Sequence, residues 1–205
     1  AMATQTDAQV EALMPDTAAP VAITMGDASG IGPEIAAMLF RDGDARGCFI
    51  VGDVAVMRRA ARLVDPLLPV ARIDAPEDVR DVAPKCIAVM EPGGIDVALA
   101  SVPPGRIDAR AGAAAARCIE RAVELARARR IAAIVTAPIH KEALAAAGMK
   151  VFAYHAATQE EYNRHIEMAL AHKPNIIIDD GGDLVGLIHS TRPDLGEEVW
   201  GGCEE

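Results

Sequence analysis

The sequence predicts an α/β protein with a three-layer, mostly parallel, doubly wound (Rossmann-like) sheet. Short apolar runs alternate with helical patterns along the chain, which is the order of elements in βαβ units. Most of these runs are continuously apolar, as expected for strands covered on both faces. Aromatic residues make up only 3% of the chain, so we expect a core of Ala, Val, Ile and Leu.

The apolar runs predict seven strands, and the stretches between them predict six helices. The strands are Val21–Met25, Cys48–Val51, Ile87–Met90, Ile131–Thr136, Lys150–Tyr154, Ile176–Asp179 and Val199–Gly201. The helices are Pro33–Arg41, Val54–Val64, Ala109–Arg130, Lys141–Ala147, one from Thr158 to the His172-Lys173-Pro174 end, and Asp183–His189. Pro33 suits a first helical turn, Gly148 suits a helix end, and Thr158 with Glu161 matches a capping box.

The composition of the chain changes near residue 150. Residues 1–149 contain no Asn and no Tyr, whereas residues 150–205 hold both Tyr, both Asn, the only Trp and four of the five His. This change indicates two segments of different origin, joined near Gly148-Met149-Lys150. We expect a flexible leader over residues 1–19, an α/β segment over 20–149, and a βαβ segment over 150–205 that completes the same sheet.

Bulk properties exclude several classes of function. The net charge of −10 argues against nucleic-acid and anionic-membrane partners, because both need basic patches. No run reaches the ~18 apolar residues of a membrane span. Residues 1–19 lack the basic start and apolar centre of a signal peptide. The four cysteines show no Cys-x-x-Cys spacing, so we expect buried thiols in a reducing, cytoplasmic compartment.

A glycine-rich segment, Gly26-Asp27-Ala28-Ser29-Gly30-Ile31-Gly32-Pro33-Glu34, follows the first predicted strand and opens a helix. Its backbone N–H groups and the positive end of the helix dipole are suited to a phosphate or carboxylate. The spacing is neither the dinucleotide G-x-G-x-x-G nor a P-loop. The alternative is a tight βα turn that needs glycine for steric reasons, and the spacing alone does not decide between the two.

Two further segments stand at predicted strand ends, where open α/β sheets bind ligands. His140 offers an acid, a base or a metal ligand and Lys141 offers an anion contact, although both also fit an exposed helix start. The Asp179-Asp180-Gly181-Gly182-Asp183 segment suits sugar hydroxyls, a metal or proton transfer. Its alternative is a capped turn in which Asp183 begins the next helix.

No metal site is expected from the remaining histidines, because they lack a regular ligand spacing. They are His155, His165, His172 and His189. Glu204-Glu205 ends the sequence, and solvent exposure is its default interpretation.

The first segment resembles the 4-hydroxythreonine-4-phosphate dehydrogenase family. The resemblance rests on VAITMGDASGIGPEIAAMLF (Val21–Phe40) and IVTAPIHKEALAAAGM (Ile134–Met149) and spans about residues 20–149. It implies a metal-dependent, NAD(P)-linked oxidation of a 3-hydroxy acid phosphate with decarboxylation.

The family pattern breaks at residue 150. After the Ala-Ala-Gly turn the family continues close to F-P-G-H-T-E, whereas this chain reads Lys150-Val151-Phe152-Ala153-Tyr154-His155. The family's later metal-binding histidines and its cofactor-binding part do not follow. Of the family's chemistry, the resemblance carries over only the Gly26–Glu34 loop and His140-Lys141.

The second segment resembles S-adenosylhomocysteine hydrolase. The resemblance rests on KVFAYHAATQEEYNRHIEMALAHKPNIIIDDGGDLVGLIHSTRPDL (Lys150–Leu195) and the GGCEE that ends the sequence. It implies that Asp180 lies in a substrate site and that Glu205 contacts a ribose. The family's catalytic Lys and Asp and its NAD domain do not follow in this sequence.

Three functions are compatible with these patterns. The first is a folded chimera without intact catalytic machinery, in which His140, Lys141 and Asp180 are vestigial; no cofactor is expected, although both parents use NAD and one also a divalent metal. The second is a residual metal- and NAD-dependent dehydrogenase. Sheet edges that lost their neighbouring strands favour a homo-oligomer in either case. The third is a weak phosphate- or anion-binding protein whose candidate contacts are Gly26, Asp27, Gly30, Gly32 and Glu205.

Overall fold

The computed structural model describes residues 19–153, 156–174, 176–179, 181–199 and 201–204. The chain forms two compact units, residues 1–149 and residues 150–205. The boundary between the units lies between Met149 and Lys150, where the composition of the sequence changes.

The first unit is built on a five-stranded sheet in the order β3-β4-β2-β1-β5. Every strand pair in it is parallel, and Thr24 of β1 lies level with Val51 of β2 and Thr136 of β5. Flanking helices connect the strands, so the predicted α/β, Rossmann-like class is confirmed for this unit. The strands are β1 (Val21–Thr24), β2 (Cys48–Val51), β3 (Val70–Arg72), β4 (Ile87–Met90) and β5 (Ala133–Thr136).

Four helices are described in the first unit, and local chemistry favours several of their ends. They are α1 (Gly32–Asp42), α2 (Val54–Val64), α3 (Ala109–Arg127) and α4 (Lys141–Ala146). Pro33 stands in the first turn of α1, and Gly43 ends that helix in the left-handed conformation. Asp53 caps α2 by accepting a hydrogen bond from the Val56 N–H at 2.7 Å. Short 3₁₀ turns at Pro76–Asp81 and Leu99–Ser101 complete the unit.

Asp108 caps α3 and is also held by a neighbouring cation. Its carboxylate accepts hydrogen bonds from the Arg110 N–H at 2.8 Å and from the Arg110 guanidinium at 2.8 and 3.0 Å. These contacts lower the pKa of Asp108 to about 2, so the cap keeps its charge at any pH near neutral.

The core of the first unit is aliphatic, as its composition predicts. All four residues of β4 are buried, and Phe49 of β2 is the largest side chain that is fully enclosed. Alanines cover the inner face of α3, together with Gly112 and Cys118. Burial raises the pKa of the Cys118 thiol to about 12, whereas Cys48 and Cys86 are only partly buried, in contrast to the expectation for all the thiols.

In the first unit, two predicted strands have different bounds in the structure and one observed strand was not predicted. The predicted strand Val21–Met25 ends one residue earlier, at Thr24. The three-residue strand β3 was not predicted, because Val70-Ala71-Arg72 is too short to show a pattern. The predicted strand Ile131–Thr136 begins later, at Ala133. Strand β5 is an edge of the sheet, and Val135 is 49% exposed there. The homo-oligomer expected from such an edge stays a prediction.

The described part of the second unit contains three helices and a two-stranded parallel sheet of β6 (Ile176–Asp179) and β7 (Gly201–Glu204). Helix α5 (Gln159–Leu170) begins with the predicted capping box, in which Thr158 and Glu161 bond reciprocally. Helices α6 (Asp183–Thr191) and α7 (Pro193–Gly196) follow. Among its described side chains, Leu170, Ile177, Ile188 and Leu195 are buried together in one cluster.

The expectation that the second segment completes the first sheet is wrong for the described strands. Strands β6 and β7 pair with each other, in a sheet separate from the five-stranded one. Residues 150–153 form no strand, although Lys150–Tyr154 was predicted as one; Tyr154 lies outside the described residues. A short apolar run becomes a strand only when a neighbour pairs with it, and the sequence does not show that neighbour. Among the described residues, no helix combines the length and the apolar character needed to cross a membrane.

We expect the two units to unfold at different urea concentrations. The second unit spans only 56 residues, and domains of this size are only marginally stable. Fluorescence of Trp200, the only Trp of the chain, reports on the second unit, whereas far-UV circular dichroism reports mainly on the first. The fluorescence midpoint should therefore fall at the lower urea concentration. Coincident curves from the two probes would contradict this and would indicate one cooperative unit.

Candidate functional site

The glycine-rich loop lies at the carboxyl end of β1, directly against the segment that follows β5. Gly26 has φ +70, and a Cβ there would lie 3.0 Å from the Ala137 carbonyl carbon and closer still to the Pro138 oxygen. The Asp27 N–H donates to the Pro138 oxygen at 2.9 Å. The two motifs that carry the dehydrogenase resemblance therefore touch each other at one edge of the sheet.

The loop satisfies two of its own N–H groups. The Ser29 N–H donates to Asp27 Oδ1 at 2.8 Å, and the Gly30 N–H donates to the Asp27 carbonyl oxygen at 3.0 Å. Asp27 and Ser29 are each only 4% exposed. The Asp27 carboxylate thus already accepts a hydrogen bond from a loop N–H group that a bound anion would otherwise need. This arrangement favours the tight-turn interpretation over anion binding at Ser29 and Gly30.

Residues distant in sequence hold the loop in this shape. The Ser29 hydroxyl lies 2.7 Å from the Arg106 carbonyl oxygen and 2.9 Å from Asp27 Oδ1, so its single proton can serve either acceptor. The Gly105 N–H donates to the Ser29 carbonyl oxygen at 2.7 Å. The Pro103-Pro104-Gly105 segment is therefore packed against the glycine-rich turn.

Arg59 of α2 is a structural residue of this region that the sequence did not indicate. Its guanidinium donates to the carbonyl oxygens of Ala28, Ala100 and Val102, the last two at 2.9 Å. It joins the glycine-rich loop to the 3₁₀ turn that precedes Pro103. All three acceptors are backbone carbonyl oxygens, which every residue carries. The sequence therefore contains no acceptor side chain that could have indicated the role of Arg59.

Three buried polar atoms near the loop have no hydrogen-bond partner among the described residues. They are Thr24 Oγ1, at the end of β1, Glu34 Oε2, in the first turn of α1, and Arg59 Nε. The Glu34 carboxylate lies in the first turn of α1, near the positive end of the helix dipole.

His140 and Lys141 are both exposed, at the start of the short helix α4. His140 is the residue that precedes the helix, and its side chain makes no capping hydrogen bond. Their positions beside the glycine-rich loop agree with the prediction that both motifs stand at strand ends. Their exposure matches the simpler interpretation of an accessible helix start.

The candidates of the second segment are only partly described. Asp180 and Glu205, together with His155, lie outside the described residues. Asp183 stands in the first turn of α6, whose capping residue is Gly182 rather than Asp183. The Asp183 carboxylate accepts a hydrogen bond from the Tyr162 hydroxyl at 3.0 Å, which connects α6 to α5.

The described residues do not fit the metal or the dinucleotide that the resemblances imply. Across those residues, no group of three or more His, Cys, Asp or Glu side chains is arranged to hold a metal ion. The Ser29 and Gly30 N–H groups are bonded within the loop, so they are not presented to a pyrophosphate. We therefore derive no step through either group.

Comparison with known proteins finds two kinds of relative. A 4-hydroxythreonine-4-phosphate dehydrogenase of Beijerinckia indica is 41% identical over 159 residues, which cover 74% of this chain and 44% of that protein. An adenosylhomocysteinase of Pyrococcus abyssi is 49% identical over 63 residues, which cover 31% of this chain and 15% of that protein. The chain thus spans less than half the length of the curated relatives it matches. Both resemblances seen in the sequence are confirmed.

A solved structure shares the fold. The crystal structure of a 4-hydroxythreonine-4-phosphate dehydrogenase from Klebsiella pneumoniae aligns with a TM-score of 0.59. The alignment covers 92% of this chain and 74% of that chain at 23% identity, so the likeness concerns the fold alone. The family model described as pyridoxal phosphate biosynthetic protein PdxA matches residues 44–178, more than half of the chain. The chain therefore belongs to the PdxA family.

Proposed function

We propose that this protein is a chimera of a PdxA-family segment and an adenosylhomocysteinase segment, and that it catalyses neither parent's reaction. The observation that carries the proposal is the coincidence of two boundaries. The composition changes near residue 150, and the boundary of the two compact units falls between Met149 and Lys150, although the match to the PdxA family model continues to residue 178.

The first unit supplies a folded scaffold with little of the relatives' chemistry. The Gly26–Glu34 loop is closed on the Asp27 carboxylate, and His140 is exposed without a hydrogen-bonded orienting partner in its capping position. A general acid or base needs a second group that holds it in place. The residues that would follow in the family motif are replaced by Lys150–His155, inside the chain.

The second unit supplies a small α/β fold around its own core. Its motif carboxylate Asp183 is engaged with Tyr162, which gives it a structural role between two helices. Catalysis in nicotinamide-dependent enzymes depends on a cofactor site next to the reacting carbon. The described residues of the second unit form two short strands and three helices.

Steady-state assays of the whole chain test the proposal. One assay uses NAD⁺, Mg²⁺ or Zn²⁺ and 4-hydroxythreonine 4-phosphate and follows NADH absorbance; the other uses S-adenosylhomocysteine and follows thiol release. We expect no turnover above buffer in either assay, while a PdxA-family relative such as that of Beijerinckia indica serves as the active control. Turnover that the His140→Ala variant abolishes would overturn the proposal.

A residual dehydrogenase is the second candidate, and one observation favours it. The glycine-rich loop and the segment before His140 are in contact, as the Asp27–Pro138 hydrogen bond shows, so the two family motifs share one edge of the sheet. Ligands of open α/β sheets bind at this edge. The same NADH assay separates the candidates, because only the dehydrogenase predicts a rate that depends on His140.

A further inference from the structure

A cavity of about 800 Å³ opens at the amino ends of β2 and β4. Its walls are the loop from Asp42 to Gly47, which leads into β2, and the loop from Val79 to Cys86, which leads into β4. All strands of this sheet run in parallel, so the cavity lies at the opposite edge from the glycine-rich loop. It is therefore separate from the region of the family motifs.

The inner wall of the cavity is apolar. Phe40 and Ala88 are buried, and Val79 and Val82 are partly buried against the same core. Sites for small organic molecules fall in this range of volume and combine an apolar wall with a few polar groups.

The rim of the cavity carries more positive than negative side chains, although the protein as a whole is acidic. Three cations line it, Arg46, Arg80 and Lys85, in a chain whose net charge is −10. Of the two carboxylates on the rim, Asp42 is paired with Arg41 at 2.8 Å and also interacts electrostatically with Lys85, and Asp44 is the other.

Two of these cations stand on facing loops. Arg46 comes from the loop before β2 and Lys85 from the loop before β4, and neither makes an ion pair among the described residues. The Lys85 backbone has φ +59. Its side chain reaches the loop before β2, because its Cε lies 3.7 Å from the position that a Cβ of Gly43 would occupy. Guanidinium and ammonium groups of this kind recognise carboxylates, sulfonates and phosphates.

We propose that this cavity binds a small organic acid. The apolar body packs against Phe40, Val79 and Val82, and the acidic head lies between Arg46 and Lys85. The proposal does not depend on the reaction of either parent. Its residues lie at the amino ends of the strands, whereas the glycine-rich loop lies at a carboxyl end.

Two probes with the same body test the proposal. The anion 1-anilinonaphthalene-8-sulfonate and the uncharged N-phenyl-1-naphthylamine differ only in the sulfonate. We expect the sulfonate probe to bind about tenfold more tightly than the uncharged one, since its head reaches two exposed cations. Equal affinities, measured by fluorescence titration of the whole chain, would overturn the proposal.

Charge-removing variants locate the site. In the double variant Arg46→Gln/Lys85→Asn we expect the affinity for the sulfonate probe to fall by about tenfold. Asn is chosen because it tolerates the positive φ at position 85. The control Arg127→Gln, which removes an exposed charge at the end of α3, should leave the affinity unchanged. A loss of the same size in the control, or no loss in the double variant, would contradict the site.

A readout independent of charge uses the thiols of the cavity. Cys48 and Cys86 both line it, so the bound sulfonate probe should slow their alkylation in the unsubstituted chain, followed by mass spectrometry. Unchanged alkylation at saturating probe would show that the probe binds elsewhere and would refute the proposal. Coincident urea unfolding curves of the double variant and the parent chain establish that both are folded.

Discussion

Replacing Gly112 by alanine should lower the free energy of unfolding of the first unit by about 3 kcal/mol. Gly112 lies inside α3, where α4 crosses it. A Cβ at this position would lie 2.7 Å from the Leu144 nitrogen and closer still to the carbonyl carbon and oxygen of Ala143. These are all backbone atoms, so no side-chain rotation relieves the clash, and the two helices must move apart. Urea denaturation followed by far-UV circular dichroism measures the loss.

The sign of this effect distinguishes packing from helix propensity. Alanine is favoured over glycine in a helix interior by about 0.5–1 kcal/mol, so propensity alone predicts a more stable protein. Gly186 of α6 provides the matched control, because a Cβ there meets nothing within 4 Å. We expect Gly186→Ala to stabilise the second unit by about 0.5 kcal/mol. A Gly112→Ala variant as stable as the parent would show that α3 and α4 are not in close contact.

The features that the sequence predicted well are those set by neighbouring residues. Strands β2 and β4 have the predicted bounds, and Thr158 caps its helix as the pattern requires. Each depends on a few consecutive residues, whose propensities and capping groups act within one turn or one strand. The parallel class followed from the same local signal, since uninterrupted apolar runs need cover on both faces.

The features that the sequence did not predict depend on distant partners. The apolar run at Lys150 resembles a strand, but residues 150–153 form no strand, and β6 pairs with β7 in a two-stranded sheet. Strand pairing is decided by which edges meet, and a single sequence does not contain that information.

The difference between local and distant contacts also explains which features of the candidate site could be predicted. The contact between Gly26 and Pro138 could be anticipated because both follow parallel strands, which end at one edge. The three carbonyl contacts of Arg59 could not, since carbonyl oxygens are present at every residue. The use of the loop N–H groups by Asp27 was likewise invisible, because the same glycine spacing serves an anion or a turn.

Replacing Gly26 by alanine should also cost about 3 kcal/mol, through two separate effects. The first is the left-handed backbone, which costs a residue with a Cβ about 1–2 kcal/mol. The second is steric, because the Cβ would press on the Ala137 carbonyl carbon and the Pro138 oxygen. The loop would have to leave the segment after β5, and the Asp27 N–H would lose its acceptor. Urea denaturation measures the total, and the shift of the Asp27 amide resonance reports the lost contact.

Gly94→Ala separates these two effects. Gly94 has the same φ of +70 as Gly26, but a Cβ there meets nothing within 4 Å. The control should therefore show only the backbone term, about 1 kcal/mol. The difference between the two variants then measures how tightly the two family motifs are packed together. If both variants lost the same stability, the contact between the glycine-rich loop and Pro138 would be too loose to define a site, and the residual dehydrogenase would lose the observation that favours it.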